Sequence, residues 1–189
     1  MAVNTPPIET AAERLYTGEE ALALGDIGPY ELIEGRIVRM NPTKHRHGKY
    51  EINLATVLNN FVRQHKLGEV QGGEVGIYVR RNPDTVRAAD VLFISNERLA
   101  KASPDNFLDV APELVAEIVS PDDRWTEIRQ KIREYLSAGV NVVLVFDPSE
   151  RTIIVCRSPT DQRELTTADT LTLEDILPGF SVPVAELFS

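Results

Sequence analysis

The apolar positions of this chain change period several times, and each change marks an element. The clearest case runs from Pro112 to Gly139. Leu114, Ala116 and Ile118 alternate with Val115, Glu117 and Val119, and both sets are apolar except at Glu117. A strand apolar on both faces is covered on both faces, so this one belongs in the middle of a sheet. It ends at Ser120-Pro121, and an amphipathic helix follows in which Ile128, Ile132, Tyr135 and Leu136 form the buried stripe. Lys131 falls about 60° from Ile128 and beside Tyr135, on the edge of that stripe. Glu127 stands four residues earlier in the favourable order for a surface ion pair. The sharper expectation is that Lys131 reaches over the sheet edge toward Glu117.

The rest of the chain reads in the same way. Residues 1–14 are expected to be a flexible leader, and 15–189 one domain. Thr17 and Glu20 have capping-box spacing ahead of the short helical stretch EEALAL. YELIEGRIVRM is a hairpin signal turned at Glu34-Gly35, which makes Glu31 and Glu34 solvent-facing strand or turn residues. From Lys49 to Leu67, Ile52, Ala55, Leu58 and Val62, with Leu54 and Phe61, fit a helix packing one face. His45 and His47 precede it, and Glu51 lies in its first turns, where the backbone dipole favours an acid. EVGIYVRR is a strand, Asn82-Pro83-Asp84 a turn, and RAADVLFIS a return into the core. A helical turn is expected over Asn96 to Lys101, and a loop over 102–111. VNVVLVFD and RTIIVCR form a strongly apolar hairpin, and the tail carries a strand, a helical turn and a closing segment. This order of elements is mixed α/β.

Composition narrows the function. With 42% hydrophobic and 26% charged residues the chain is an ordinary globular protein, and it has no apolar run long enough for a membrane helix. The N-terminus has neither the basic start nor the apolar stretch of a secretory signal, so a cytoplasmic location is expected. Cys156 is the only cysteine, which excludes an internal disulfide and a cysteine-built zinc site. A net charge of −9 argues against a protein that grips nucleic acid mainly through phosphate contacts. Any such binding must use a metal or local basic patches: Lys44, Arg46 and Lys49; Arg80-Arg81; or Arg129, Lys131 and Arg133.

Two acids carry the candidate chemistry. Glu117 sits in the middle of a core strand and Asp90 opens the apolar run DVLFIS. A buried carboxylate is costly unless it is paired, protonated or bound to a cation. Two acids on neighbouring core strands, with a lysine on the next helix, suggest a metal-dependent site. Mg²⁺ or Mn²⁺ suits such oxygen donors and keeps several waters. Ser120 has no recognisable histidine partner, and the chain has no Gly-rich phosphate loop.

The spaced set Asp90, Glu117 and Lys131, with AEIVSPDD, EIRQKIREYLSAGV and FDPSERTIIV, resembles the Uma-type restriction endonuclease family of the PD-(D/E)XK nuclease superfamily. YELIEGRIV, His47-Gly48 and LPGFSVPVAELF are similar to its flanking segments. The resemblance implies a restriction-endonuclease-like core, a mixed β-sheet flanked by helices, that hydrolyses phosphodiester bonds of nucleic acid, DNA before RNA. It implies Asp90 and Glu117 as metal ligands, the Ile118 carbonyl as a third, and Lys131 as the catalytic lysine. The superfamily's usual lysine position is Val119 here, and in the Uma-type pattern the lysine has moved to the following helix. Ala89 replaces the proline of the usual Pro-Asp pair, and Val143-Leu144 replaces an aromatic pair. The resemblance and the apolar hairpin together suggest a homodimer. A catalytically inactive nuclease-fold module that binds nucleic acid or protein, and a purely structural role for the acids, are the alternatives.

Overall fold

The computed structural model describes residues 14–42 and 45–189, so the expected leader, apart from Arg14, and Lys44 of the first basic patch lie outside the described residues. The chain opens with α1 (Gly18–Leu22), β1 (Tyr30–Ile33) and β2 (Arg36–Arg39), followed by α2 (His45–His65). Next come β3 (Gly68–Arg80), β4 (Thr85–Ser95), α3 (Asn96–Leu99), β5 (Leu114–Ile118) and α4 (Trp125–Ala138). β6 (Val142–Asp147), β7 (Thr152–Cys156), β8 (Gln162–Leu165), β9 (Thr170–Thr172), β10 (Ser181–Pro183) and α5 (Val184–Leu187) complete it. Thr17 caps α1 as its spacing predicts, its hydroxyl accepting from the Glu20 amide while Glu20 accepts from the Thr17 amide. Glu34 and Gly35 both have positive φ, the backbone hand a tight two-residue hairpin demands.

Eight strands form one sheet in the order β2-β1-β4-β5-β6-β7-β8, with β3 also on β4; β9 and β10 form a separate pair. Among the described strands only β5 and β6 pair in parallel, joined by the crossover helix α4. β5 is buried throughout and lies between β4 and β6, as its two-sided apolar pattern requires. One face packs Val91, Ala116 and Phe146 against Leu54, Leu58 and Val62 of α2. The other packs Val115, Val143 and Val145 against Ile128, Ile132 and Tyr135 of α4. This is a mixed sheet flanked by helices.

Three sequence expectations fail locally. Ile52 is 62% exposed, because the buried stripe of α2 runs through Leu54, Leu58 and Val62 instead. His45, His47 and Gly48 lie inside the first turns of α2 and not before it. The apolar hairpin β6–β7 is not a spare surface: Val142 to Val145, Ile153 and Val155 are buried within the chain, and Ile154 is partly buried against the same core.

The sheet's geometry makes the site. β3 occupies one edge of β4 along nearly its whole length. On the other edge β1 pairs at Val86 and β5 pairs at Val91 to Phe93. Between those two contacts, from Arg87 to Asp90, no strand among the described residues pairs with this edge of β4, and the Glu31 carboxylate accepts from the Ala88 amide there. On the β3 side the register jumps from Gly72↔Val91 to Val75↔Ala89, so Gly73 and Glu74 bulge opposite Asp90. Both have positive φ, +85° at Gly73 and 63° at Glu74.

Candidate metal site and acidic cleft

Asp90 is held from two sides. The Ile118 amide donates to its Oδ2 at 2.7 Å, and His47 Nε2 lies 3.2 Å from the same oxygen. Among the described residues no hydrogen bond reaches Oδ1. Asp90 is thus clamped through one oxygen and free to coordinate through the other. His47 is buried, and its Nδ1 is the one buried side-chain polar atom without a partner among the described residues. Burial works against its imidazolium, but the Asp90 carboxylate outweighs that and raises its pKa.

Glu117 comes from β5 on the opposite side of the gap. Its Oε2 accepts from Lys131 Nζ at 2.9 Å and its Oε1 from the Tyr135 hydroxyl at 2.7 Å. Burial pushes its pKa up to about 7; Lys131 opposes the rise, and the neighbouring Asp90 charge adds to it. Lys131 does cross the sheet edge to Glu117, but its other partner is Glu31 Oε1 at 3.0 Å, where an ion pair with Glu127 was expected. Burial disfavours the Lys131 ammonium, yet the two carboxylates outweigh it and keep it charged.

Glu31 is the largest correction to the sequence reading. It is 6% exposed, not solvent-facing, and pairs with both Lys131 and Arg87, the latter at 2.6 Å. Arg87, itself buried, also binds Glu134 on α4 at 2.6 Å. Period-two alternation could not reveal this, because a four-residue hairpin strand says nothing about which face meets another strand's charge. Arg87, three residues before Asp90, was the available signal: a cation on a core strand demands a buried acid.

These side chains line one cleft of about 380 Å³, floored by Glu31, Asp90, Glu117 and Lys131 and bordered by Glu74 and Asp123. Glu51 of α2 accepts from the Gly73 amide at 3.0 Å near Asp90, with burial and the Asp90 charge raising its pKa. Asp90 and Glu117 therefore face the same space and repel one another. Among the described residues no three His, Cys, Asp or Glu side chains are grouped so as to hold a metal ion. In donor chemistry the two carboxylates nevertheless suit a hard divalent ion, which commonly takes only one or two protein carboxylates and keeps water on its other positions.

The Uma2 family profile, described as "Putative restriction endonuclease", matches residues 19–185. The chain belongs to the Uma2 family. A similar solved structure is that of "a putative nuclease belonging to DUF820 from Anabaena variabilis ATCC 29413", with a TM-score of 0.76 at 20% identity, covering 91% of this chain and 97% of that one. At that identity the likeness is one of fold. No curated protein matches the chain. Within the Uma2 fold seen here, the three residues singled out by sequence, Asp90, Glu117 and Lys131, meet in one cleft. The basic patches fare differently. Arg80 pairs with Glu34, and Arg81 with Glu19 and Asp84 while stacking on Tyr78, so that pair is engaged within the chain. Arg46, Lys49, Arg129 and Arg133 remain exposed.

Proposed function

We propose that the chain is a divalent-metal-dependent endonuclease that hydrolyses phosphodiester bonds, with DNA as the substrate. The observation that carries this reading is the convergence of Asp90 and Glu117, from adjacent strands, on one cleft with Lys131 bonded to Glu117. The family's description and the similarly folded nuclease support it. Asp90, Glu117 and the Ile118 carbonyl would hold Mg²⁺ or Mn²⁺. Such an ion, when bound, polarises the phosphate and lowers the pKa of a bound water. Asp90 contributes a carboxylate oriented by the Ile118 amide and His47. Glu117 contributes the second charge, and Tyr135 fixes its rotamer from the buried side. Lys131, held between Glu31 and Glu117, places a positive charge beside the position where phosphoryl oxygens become more negative. Glu31 positions Lys131, and Arg87 in turn holds Glu31.

The testing experiment is Mn²⁺-dependent cleavage of plasmid and linear DNA. Asp90→Asn and Glu117→Gln should each abolish it, while Lys131→Met should slow it about 100-fold or more and leave ion binding intact. DNA bound but never cut would favour the inactive nuclease-fold module, and RNA cut in preference would correct the substrate.

A homodimer and a cytoplasmic location belong to the same reading. Self-association now rests on the family resemblance, since β6 and β7 spend their apolar faces inside the chain. Light scattering at micromolar concentration should give twice the chain mass, and a monomer would remove the dimer. Among the described residues, no helix is long and apolar enough to cross a membrane.

A further inference from the structure

Next to the acidic cleft, a second cavity of about 610 Å³ opens at the C-terminal ends of β5 and β6. Its walls come from the first turns of α2, the β5–α4 loop and the β6–β7 turn. Tyr50, Val119, Pro121 and Pro148 give it apolar surfaces, and the exposed His45 and Arg46 stand beside them. His47 and Ser120 line this cavity and the acidic cleft alike, so the two meet at those side chains. The junction carries an unused polar atom, the buried Nδ1 of His47.

We infer that this cavity receives an unpaired nucleobase of the substrate, adjacent to the phosphate that lies over Asp90 and Glu117. The inference rests on reading the cleft as a nucleic-acid site. Four observations favour that occupant. The volume falls in the range of pockets that enclose a small organic ligand. The Tyr50 ring, with Val119, Pro121 and Pro148, lines the cavity with the aromatic and apolar surface against which a base packs. The cleft is floored with several acids, whereas the cavity is lined by one, Asp147, whose carboxylate accepts from the Ser149 amide, and by the exposed guanidinium of Arg46, where the backbone phosphates flanking that base would pass. The cavity adjoins the cleft, so base and scissile phosphate of one nucleotide step can occupy both at once.

The substrate class follows from geometry. A base stacked and paired inside a duplex cannot enter a lateral pocket without being extruded, at a cost of a few kcal/mol. The favoured substrate therefore has an unpaired nucleotide next to the cut: a single strand, a flap or an overhang.

Fluorescence anisotropy with a labelled single-stranded DNA hexamer and with the same backbone bearing abasic residues tests the pocket without requiring cleavage. The hexamer should bind about tenfold tighter than the abasic strand. Ser149→Trp, which places an indole from the exposed turn into the cavity, should remove that difference. Tyr50→Leu, which removes the stacking ring, should reduce it, and melting curves of both variants report whether they fold. Equal binding of the two strands by the wild type, or a difference that survives both folded variants, overturns the proposal. Parallel cleavage of flapped and fully paired duplex in Mn²⁺ separates the two claims. Base-dependent binding with nothing cut leaves the pocket standing and removes the nuclease reading. Duplex cut as fast as flap, without base-dependent binding, removes the pocket alone.

Discussion

Glu117 ties the site's electrostatics to stability. Its pKa stands near 4.5 in the unfolded chain and about 7 in the fold, driven up by burial, with Lys131 opposing and Asp90 adding to the rise. The unfolded chain therefore releases this proton first. The stability owed to the neutral acid is complete below about pH 4.5 and is lost as pH rises through about 7. In EDTA, wild-type stability should fall across that window through this group, and Glu117→Gln should lack the fall and melt higher than wild type at pH 8. A variant that melts lower at pH 8 would show that the charged form is the stabilised one. Glu31 behaves in the opposite sense. Burial penalises it, but Lys131 and Arg87 outweigh the penalty and lower its pKa. Glu31→Ala strips one carboxylate from two buried cations, so a loss of about 3 kcal/mol is expected in urea unfolding, moderated because Lys131 keeps Glu117 and Arg87 keeps Glu134. Asp90, Glu117 and Lys131 were legible in the sequence because charge in an apolar pattern is costly and thus conspicuous. Glu31 and His47 were not, because each occupies a position that also suits a solvent-facing residue, and only the fold shows what it meets.

At the scale of elements, the site is made by two interruptions of the sheet. The edge of β4 opens between β1 and β5, and β3 bulges opposite Asp90. The bulge needs Gly73 and Glu74 in the left-handed region, where a side chain costs about 1 kcal/mol. A Cβ at Gly73 would meet nothing within 4 Å, so Gly73→Ala should cost only that backbone term, about 1 kcal/mol in chemical denaturation. A much larger loss would mean that the bulge moves and carries the Gly73 contact of Glu51 with it. Strand and helix identities were readable from period: β5 from its two-sided burial, α4 from its stripe, the first hairpin from Glu-Gly. The bulge was not, since Gly72-Gly73 within an alternating strand marks irregularity without saying which partner residue it faces. Nor was the outward face of Ile52, because the α2 pattern admits two stripes that differ by a small rotation and only packing on β3 and β5 selects one.

At the scale of the molecule, a net charge of −9 and an acid-lined cleft make an unaided approach by a polyanion unfavourable. DNA binding should therefore depend on divalent ion and weaken only shallowly with added KCl, whereas a protein held by many phosphate contacts shows a steep log–log slope. A steep slope in EDTA would instead place the contact on an exposed basic patch such as Arg129 and Arg133. Mixed α/β architecture followed from the order of elements, while the family resemblance supplied the restriction-endonuclease-like core and the expectation that the two acid-bearing strands do chemistry together. The proposed function requires Asp90 and Glu117 to form one divalent-metal site that cuts nucleic acid. It is tested most directly by melting wild type and Glu117→Gln at pH 8 with and without saturating Mn²⁺, alongside cleavage of flapped DNA by the same samples. An ion that binds only the native state raises its melting temperature. Wild type should show an upward Mn²⁺ shift and cleavage, and Glu117→Gln neither. A wild-type melt that Mn²⁺ leaves unmoved, with no substrate cut, would contradict it.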